Sequence, residues 1–455
     1  MACVLRATPF GRRISHRTPY VIKVEYAAIH ALLTIIFNNM LTLRVQRIRT
    51  NLKKTVALVA VLPAALVACG TDATDDSAAA SSSAAAAVEQ QSATPRLALS
   101  YDGGVLVVDA ENLEQVADLP MEGFIRLNSA DNGRHAFVSE SEGFRVLDLG
   151  TWTRQHGDHG HHYTSTPALT DMRFGGAEPG HVVPHDSRIT LFSDGTGEVD
   201  VVEPAELLRG NAKAASFTVP EPHHGVAVAR ADGSTVVTVG NEESRTGIAI
   251  LDRNRKEIAR SAECPAVHGE AAAADGVLTF GCQDGILIVR GNEIRKIASP
   301  DGYGRIGNQA GSEASPIVLG DYKTDENADL ERPNRFSLTD TRTGQLRIVP
   351  FPASYSFRSL DRGSAGEAVI LGTDGALYVI DPATAQVTAR HQVIGAWTEP
   401  DEWQSAMPNL HVQEGIAYVS DPAAKSLTAV DLRTGEKKAS ATLPHPTIEL
   451  TGVTG

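Results

Sequence analysis

From Leu97 onward, apolar and polar residues alternate with a period of two in short runs, and turns rich in Gly, Asp and Asn divide the runs. Such alternation gives each run one apolar face, which predicts strands and leaves no need for long helices. Paired runs begin at Leu97, His135, Ile189, Thr235, Val277, Pro316, Ala368 and Ile416, with turn pairs such as Asp102-Gly103 and Asp374-Gly375. Asp-Gly turns favour tight hairpins because glycine accepts positive φ at no steric cost. Eight hairpins spaced by roughly 40 to 50 residues match the period of a four-stranded propeller blade. The expected fold is all-β, a β-propeller of eight blades, with seven the alternative if one hairpin is only the outer half of a blade. The first hairpin has no inner strand before it, whereas the chain ends in Thr447-Ile448-Glu449-Leu450-Thr451-Gly452-Val453. That terminal run would complete the first blade and close the ring.

The propeller body is expected over residues 96–455, and the pattern stops upstream of it. Residues 69–95 are mostly Ala, Ser, Thr and Asp, with little to bury, and predict a disordered tether. Residues 44–68 form a basic stretch and then about a dozen apolar residues, short of the roughly 20 a membrane span needs. Their end, Leu66-Val67-Ala68-Cys69, looks like a bacterial lipobox, which makes 44–68 a lipoprotein signal peptide and Cys69 the lipidated first residue of the mature chain. Residues 1–43 fit no signal peptide and are read as an over-called N-terminus, Met40 being a start that gives a leader of ordinary length. The expected location is outside the cytoplasm, periplasmic or at the cell surface, touching the membrane only through the lipid anchor.

Charge and cysteines agree with export. The whole chain carries a net charge of −14, and removing the basic leader leaves about −23. Such a surface excludes nucleic acid as a partner. Apart from Cys3 and Cys69, only Cys264 and Cys282 remain. In an oxidising compartment an even pair defaults to a disulfide, with zinc ligation the other use of two thiols.

The histidines carry the candidate chemistry. His156, His159, His161 and His162 fall within seven residues, together with Gly157, Asp158 and Gly160. Neutral imidazole is the commonest protein ligand for zinc, and glycines let several rings converge on one ion. A second pattern stands just before successive hairpins: Glu178-Pro179-Gly180-His181, then Glu221-Pro222-His223-His224-Gly225, then Cys264-Pro265-Ala266-Val267-His268-Gly269. In a propeller the first strand of each blade lines the central channel, so His181, His224 and His268 are placed to converge at one mouth. Three imidazoles with a carboxylate or water would complete a tetrahedral zinc site. His223 is the alternative to His224, because neighbours on a strand point to opposite faces. His185, followed by Asp186, is a further ligand or a supporting pair, and His411 enters the eighth hairpin in the same manner. The competing interpretation is that such histidines only hydrogen-bond neighbouring blades. Imidazole-only coordination also predicts that metal leaves as the rings protonate, near pH 5 to 6.

A lipobox, an exported propeller body, an H-x-x-H-x-H-H segment after the second hairpin, P-x-H and P-x-x-H-G entries to successive strands, and one cysteine pair together resemble the AztD family of zinc metallochaperones. The resemblance covers the body from about Arg96. It implies a protein, not an enzyme, that binds zinc and hands it to the solute-binding protein of a zinc ABC importer. It also implies that His156 to His162 form a mobile His-rich segment beside a firmer site of inner-strand histidines. A monomer is expected. Two other classes stay open: a propeller hydrolase or lactonase with a zinc-activated water, and a plain scaffold for protein interactions.

Overall fold

A computed structural model of the chain describes residues 87–455. The over-called start, the signal peptide and the Cys69 anchor read from the sequence lie outside the described residues. The described residues form eight consecutive sheets, each built on a path of four strands, and one separate three-stranded sheet, the architecture of a β-propeller. Every strand pair within the four-stranded paths is antiparallel; the fifth sheet adds a two-residue parallel strand, Gly304–Arg305. Among the described residues the one α-helix is the short Pro204–Leu208, and no helix is long and apolar enough to cross a membrane.

The ring closes as the terminal run foreshadowed. Thr447–Val453 is the inner strand of the first sheet and pairs with Arg96–Tyr101, matching Leu97 with Gly452 and Leu99 with Leu450. Alternation then serves two neighbours at once. Leu97 and Leu99 pack with Tyr418 and Leu427 of the eighth sheet, while Ala98 packs with Leu127, Val138 and Leu147 of the second. Arg96–Tyr101 is therefore buried along its whole length, whereas fourth strands such as Gln115–Pro120 and Lys437–Thr442 are largely exposed. Apolar layers between sheets hold the molecule together, since each sheet buries both faces of its middle strands against the next.

Two departures from the plain repeat bear on the candidate site. In the second sheet the chain leaves after Gly143–Asp148 and returns as Ala168–Phe174; between them it extrudes the hairpin Thr151–His156 and His159–Thr164. The tract expected to be a disordered tether up to Pro95 supplies this hairpin with a third strand, Val88–Gln90, which pairs with the His159–Thr164 strand. In the fifth sheet Cys264 and Cys282 form a disulfide with a Cα–Cα separation of 4.9 Å. Cys264 lies just before the inner strand His268–Ala273, and Cys282 ends the neighbouring strand Val277–Cys282, so the bond pins the entry of the strand that carries His268.

Candidate metal centre

Two groups of three histidines stand close enough to share an ion: His181, His224 and His268, and His156, His159 and His161; within each, the candidate ligand atoms lie within 4.8 Å of one another.

The first group sits at the entries of the third, fourth and fifth sheets. His181 follows a register break in Pro179–His185, and His268 precedes one in His268–Ala273, where Gly269 takes φ +72°. Bulges of this kind turn a side chain out of the strand's regular alternation. His224 stands just before the inner strand Ala227–Ala229. Ring centroids lie 4.9, 5.0 and 5.6 Å apart, and the rings line a cavity of about 410 Å3 together with Arg126, Glu270 and Trp403.

Each ring is oriented by its Nδ1. His181 Nδ1 donates to the Gly225 carbonyl at 2.9 Å, and His268 Nδ1 to the Gly307 carbonyl at 2.6 Å. His224 Nδ1 meets Asp194 Oδ2 at 2.5 Å. A carbonyl can only accept, so Nδ1 must carry the proton and Nε2 keeps its lone pair; a carboxylate acceptor has the same effect. Partners of this kind hold metal-binding imidazoles in position. Burial, reinforced by the neighbouring rings and by Arg126, pushes His181 well below the ordinary imidazole range. Burial and His224 push His268 down to about 3. His181 and His268 are thus held as neutral rings, the form that binds metal.

The second group belongs to the extruded hairpin, so the segment implied to be a loose loop is paired strand. Its two-residue tip is Gly157-Asp158, with Gly157 at φ +63°, as a Gly-first hairpin turn requires. Register sets His156 opposite His159, and alternation puts His159 and His161 on one face and His162 on the other. His162 Nδ1 bonds Thr153 Oγ1 at 2.8 Å, outside the cluster. His161 Nδ1 meets Glu89 Oε1 of the third strand at 2.7 Å, and His159 Nδ1 meets Asp158 Oδ1 at 3.2 Å. The two Nε2 atoms are left 3.2 Å apart. Two zinc bonds near 2.0–2.1 Å at the tetrahedral angle place ligand atoms about 3.3 Å apart, so this spacing suits a shared ion.

The other sequence candidates stand elsewhere. His223 is buried, with Nδ1 on the Glu221 carbonyl at 2.8 Å and Nε2 on Thr238 Oγ1 at 2.9 Å, so both nitrogens are occupied. His185 ends the strand that His181 enters, and His411, on the inner strand Asn409–Gln413, has Gln413 Oε1 at 3.5 Å. Sequence reasoning passed over Asp194 and Glu89, the carboxylates that orient His224 and His161. Asp194 looked like one more Asp-Gly turn, and Glu89 lay in a tract too polar to predict a strand.

No family model matches the chain. A curated relative, zinc chaperone AztD of Citrobacter koseri, is 23% identical over 364 residues, covering 77% of this chain and 84% of the relative. The crystal structure of Citrobacter koseri AztD superposes with a TM-score of 0.71 at 22% identity, over 80% of this chain and 99% of that one. The structure of apo AztD from the same organism gives 0.69 at 21%, over 80% and 98%. The likeness to the AztD family that the histidines carry is thus found independently in overall sequence and in fold.

Proposed function

We propose that this protein is a zinc chaperone acting outside the cytoplasmic membrane, which captures zinc and passes it to the solute-binding protein of a zinc ABC importer. The convergence of His181, His224 and His268, each with Nδ1 tied to an oxygen and Nε2 free, is the main support. A tetrahedral ion held by three protein ligands keeps one position for an incoming ligand, so cargo can change hands without first being released to water. His224 suits the outgoing step, because 43% of its side chain is exposed. The hairpin cluster, with His159 more exposed still and His161 about as exposed, offers an outer station for capture or transfer. The zinc chaperone named among the relatives supports zinc as the cargo, and the disulfide fits an oxidising compartment.

A hydrolytic reading draws on one feature. Glu270 lines the same cavity, and burial pushes its carboxyl up to about 7, a value suited to moving protons near neutrality. The two readings separate in one experiment, which measures zinc content, affinity and hand-over to a metal-free solute-binding protein. The proteins compared are the wild type, His181→Ala/His224→Ala/His268→Ala, and His156→Ala/His159→Ala/His161→Ala. The chaperone reading expects tight stoichiometric zinc in the wild type, loss of the tight site in the first variant and slowed transfer in the second. Absence of stoichiometric zinc in the wild type would leave only a scaffold. Turnover of esters or lactones by the zinc-loaded protein, abolished by Glu270→Gln, would make it an enzyme.

A further inference from the structure

The inner strands lead away from the three-histidine cavity toward a second one. His181 lies near the start of Pro179–His185 and His185 at its end, about 13 Å further along at strand rise. Likewise His268 opens His268–Ala273, and Ala272, near the end of that strand, lines the second cavity. This cavity, of about 1190 Å3, is acidic: Asp131, Asp186, Glu313 and Asp361 line it, and its lining cation, Arg188, is already paired with Glu203 at 3.1 Å. Burial and the nearby Glu313 push the Asp131 carboxyl up, as expected where carboxylates crowd without a counter-charge.

A cluster of acids alone indicates no ligand, but His185 adds an independent sign. Its side chain is only 5% exposed, and its Nε2 is buried without a hydrogen-bond partner. Asp186 Oδ2 lies 3.3 Å from that nitrogen, yet the two do not align as a hydrogen bond. An unsatisfied buried nitrogen costs roughly 1–3 kcal/mol and calls for a partner. The separation is again that of two ligand atoms on one ion, about 3.3 Å. Asp186 is held in place by the Ala231 N–H, which donates to its Oδ2 at 3.0 Å. We propose that this second cavity is a weak site for a divalent transition metal, bound by His185 Nε2 and the Asp186 carboxylate, with Asp131 and Glu313 supplying negative potential around it. One imidazole with carboxylate oxygens and water suits zinc, cobalt or manganese in a labile, partly hydrated state. The site would accept ions at the end of the channel away from the three-histidine centre.

The test uses the full chain with His156, His159, His161, His181, His224 and His268 all replaced by Asn, titrated calorimetrically with Zn2+. One weak equivalent is expected to survive, and His185→Gln and Asp186→Asn, each added to this background, should weaken it about tenfold or more. A second measurement avoids the heavily substituted protein: Mn2+ added to wild type that carries zinc only to its tight equivalents, so that the weak site stays open, followed by the loss of the free-ion electron paramagnetic resonance signal of Mn2+. One equivalent bound in the wild type and lost in Asp186→Asn supports the site. No bound ion in either experiment, or binding unchanged by both substitutions, overturns it, and neither result depends on whether the three-histidine centre carries cargo.

Discussion

Asp194 does more than hold one ring. Its Oδ2 meets His224 Nδ1, while its Oδ1 accepts the Gly225 N–H at 3.2 Å, and the Gly225 carbonyl in turn accepts from His181. One carboxylate from a turn of the third sheet therefore sets two of the three imidazoles. Asp194→Asn keeps the size but removes the charge that favours the Nδ1 proton, so zinc affinity at this centre should fall by about tenfold to a hundredfold. Calorimetry would show this, and the melting temperature should stay close to wild type because Asp194 is no part of the apolar layers. An unchanged affinity would mean that the backbone alone orients the rings. Glu89→Gln makes the parallel change at the hairpin, where 58% of the Glu89 side chain is exposed. Solvent screening there should limit the loss to a few-fold.

At the scale of elements, the hairpin depends on its third strand. Two-stranded hairpins are marginal in water, and Val88–Gln90 is what converts this one into a sheet. Replacing residues 88–90 with Gly-Ser-Gly should raise amide hydrogen exchange across 151–164, leave the propeller strands protected, and weaken zinc binding at the hairpin alone. Equal exchange in both proteins would show that the stacked Trp152 and Tyr163 rings, with centroids 5.6 Å apart, suffice to hold it. The disulfide is the other local fastener. Its partners are 18 residues apart, so Cys264→Ser/Cys282→Ser should cost about 3 kcal/mol of stability, seen as a lower denaturant midpoint. These elements also show where the sequence can be read and where it cannot. Period-two alternation revealed the hairpins and the closing C-terminal strand because every blade repeats the same burial problem. The extruded hairpin went unread because histidine hid the alternation: His159 and His161 face one way and His162 the other, a difference that only strand register reveals. The choice between His223 and His224 stayed open for the same reason, and the structure resolves their positions by burying His223 against Thr238.

For the molecule as a whole, the buried histidines tie stability and metal retention to pH. An unfolded chain protonates its histidines near 6.5. In the folded protein burial pushes His135 down to about 4 and His268 to about 3, and lowers His181, His185 and His223 as well. As pH falls from 6.5, the unfolded chain takes up protons that the folded rings refuse, so these groups remove stability progressively down to about 3 or 4. Glu270 and Glu399 act in the opposite sense. Burial pushes both up to about 7, so the folded state protonates them before the unfolded state does, and acidification from 7 toward 4.5 favours folding through them. A bare stability curve mixes the two effects, and comparison with the triple variant His181→Ala/His224→Ala/His268→Ala separates them. The metal-free wild type should lose more stability than this variant between pH 6.5 and pH 4, measured as the difference in urea midpoints. The same depression alters the expectation that metal leaves near pH 5 to 6. Protons compete weakly for rings that stay neutral, so zinc at this centre should persist below pH 5 in equilibrium dialysis. Release in the protein's own environment would then require a competing ligand rather than mild acid, as hand-over to a partner would supply. Zinc lost from this centre at pH 6, in a protein still folded, would show that the rings protonate in the ordinary range and that acid alone can discharge the cargo.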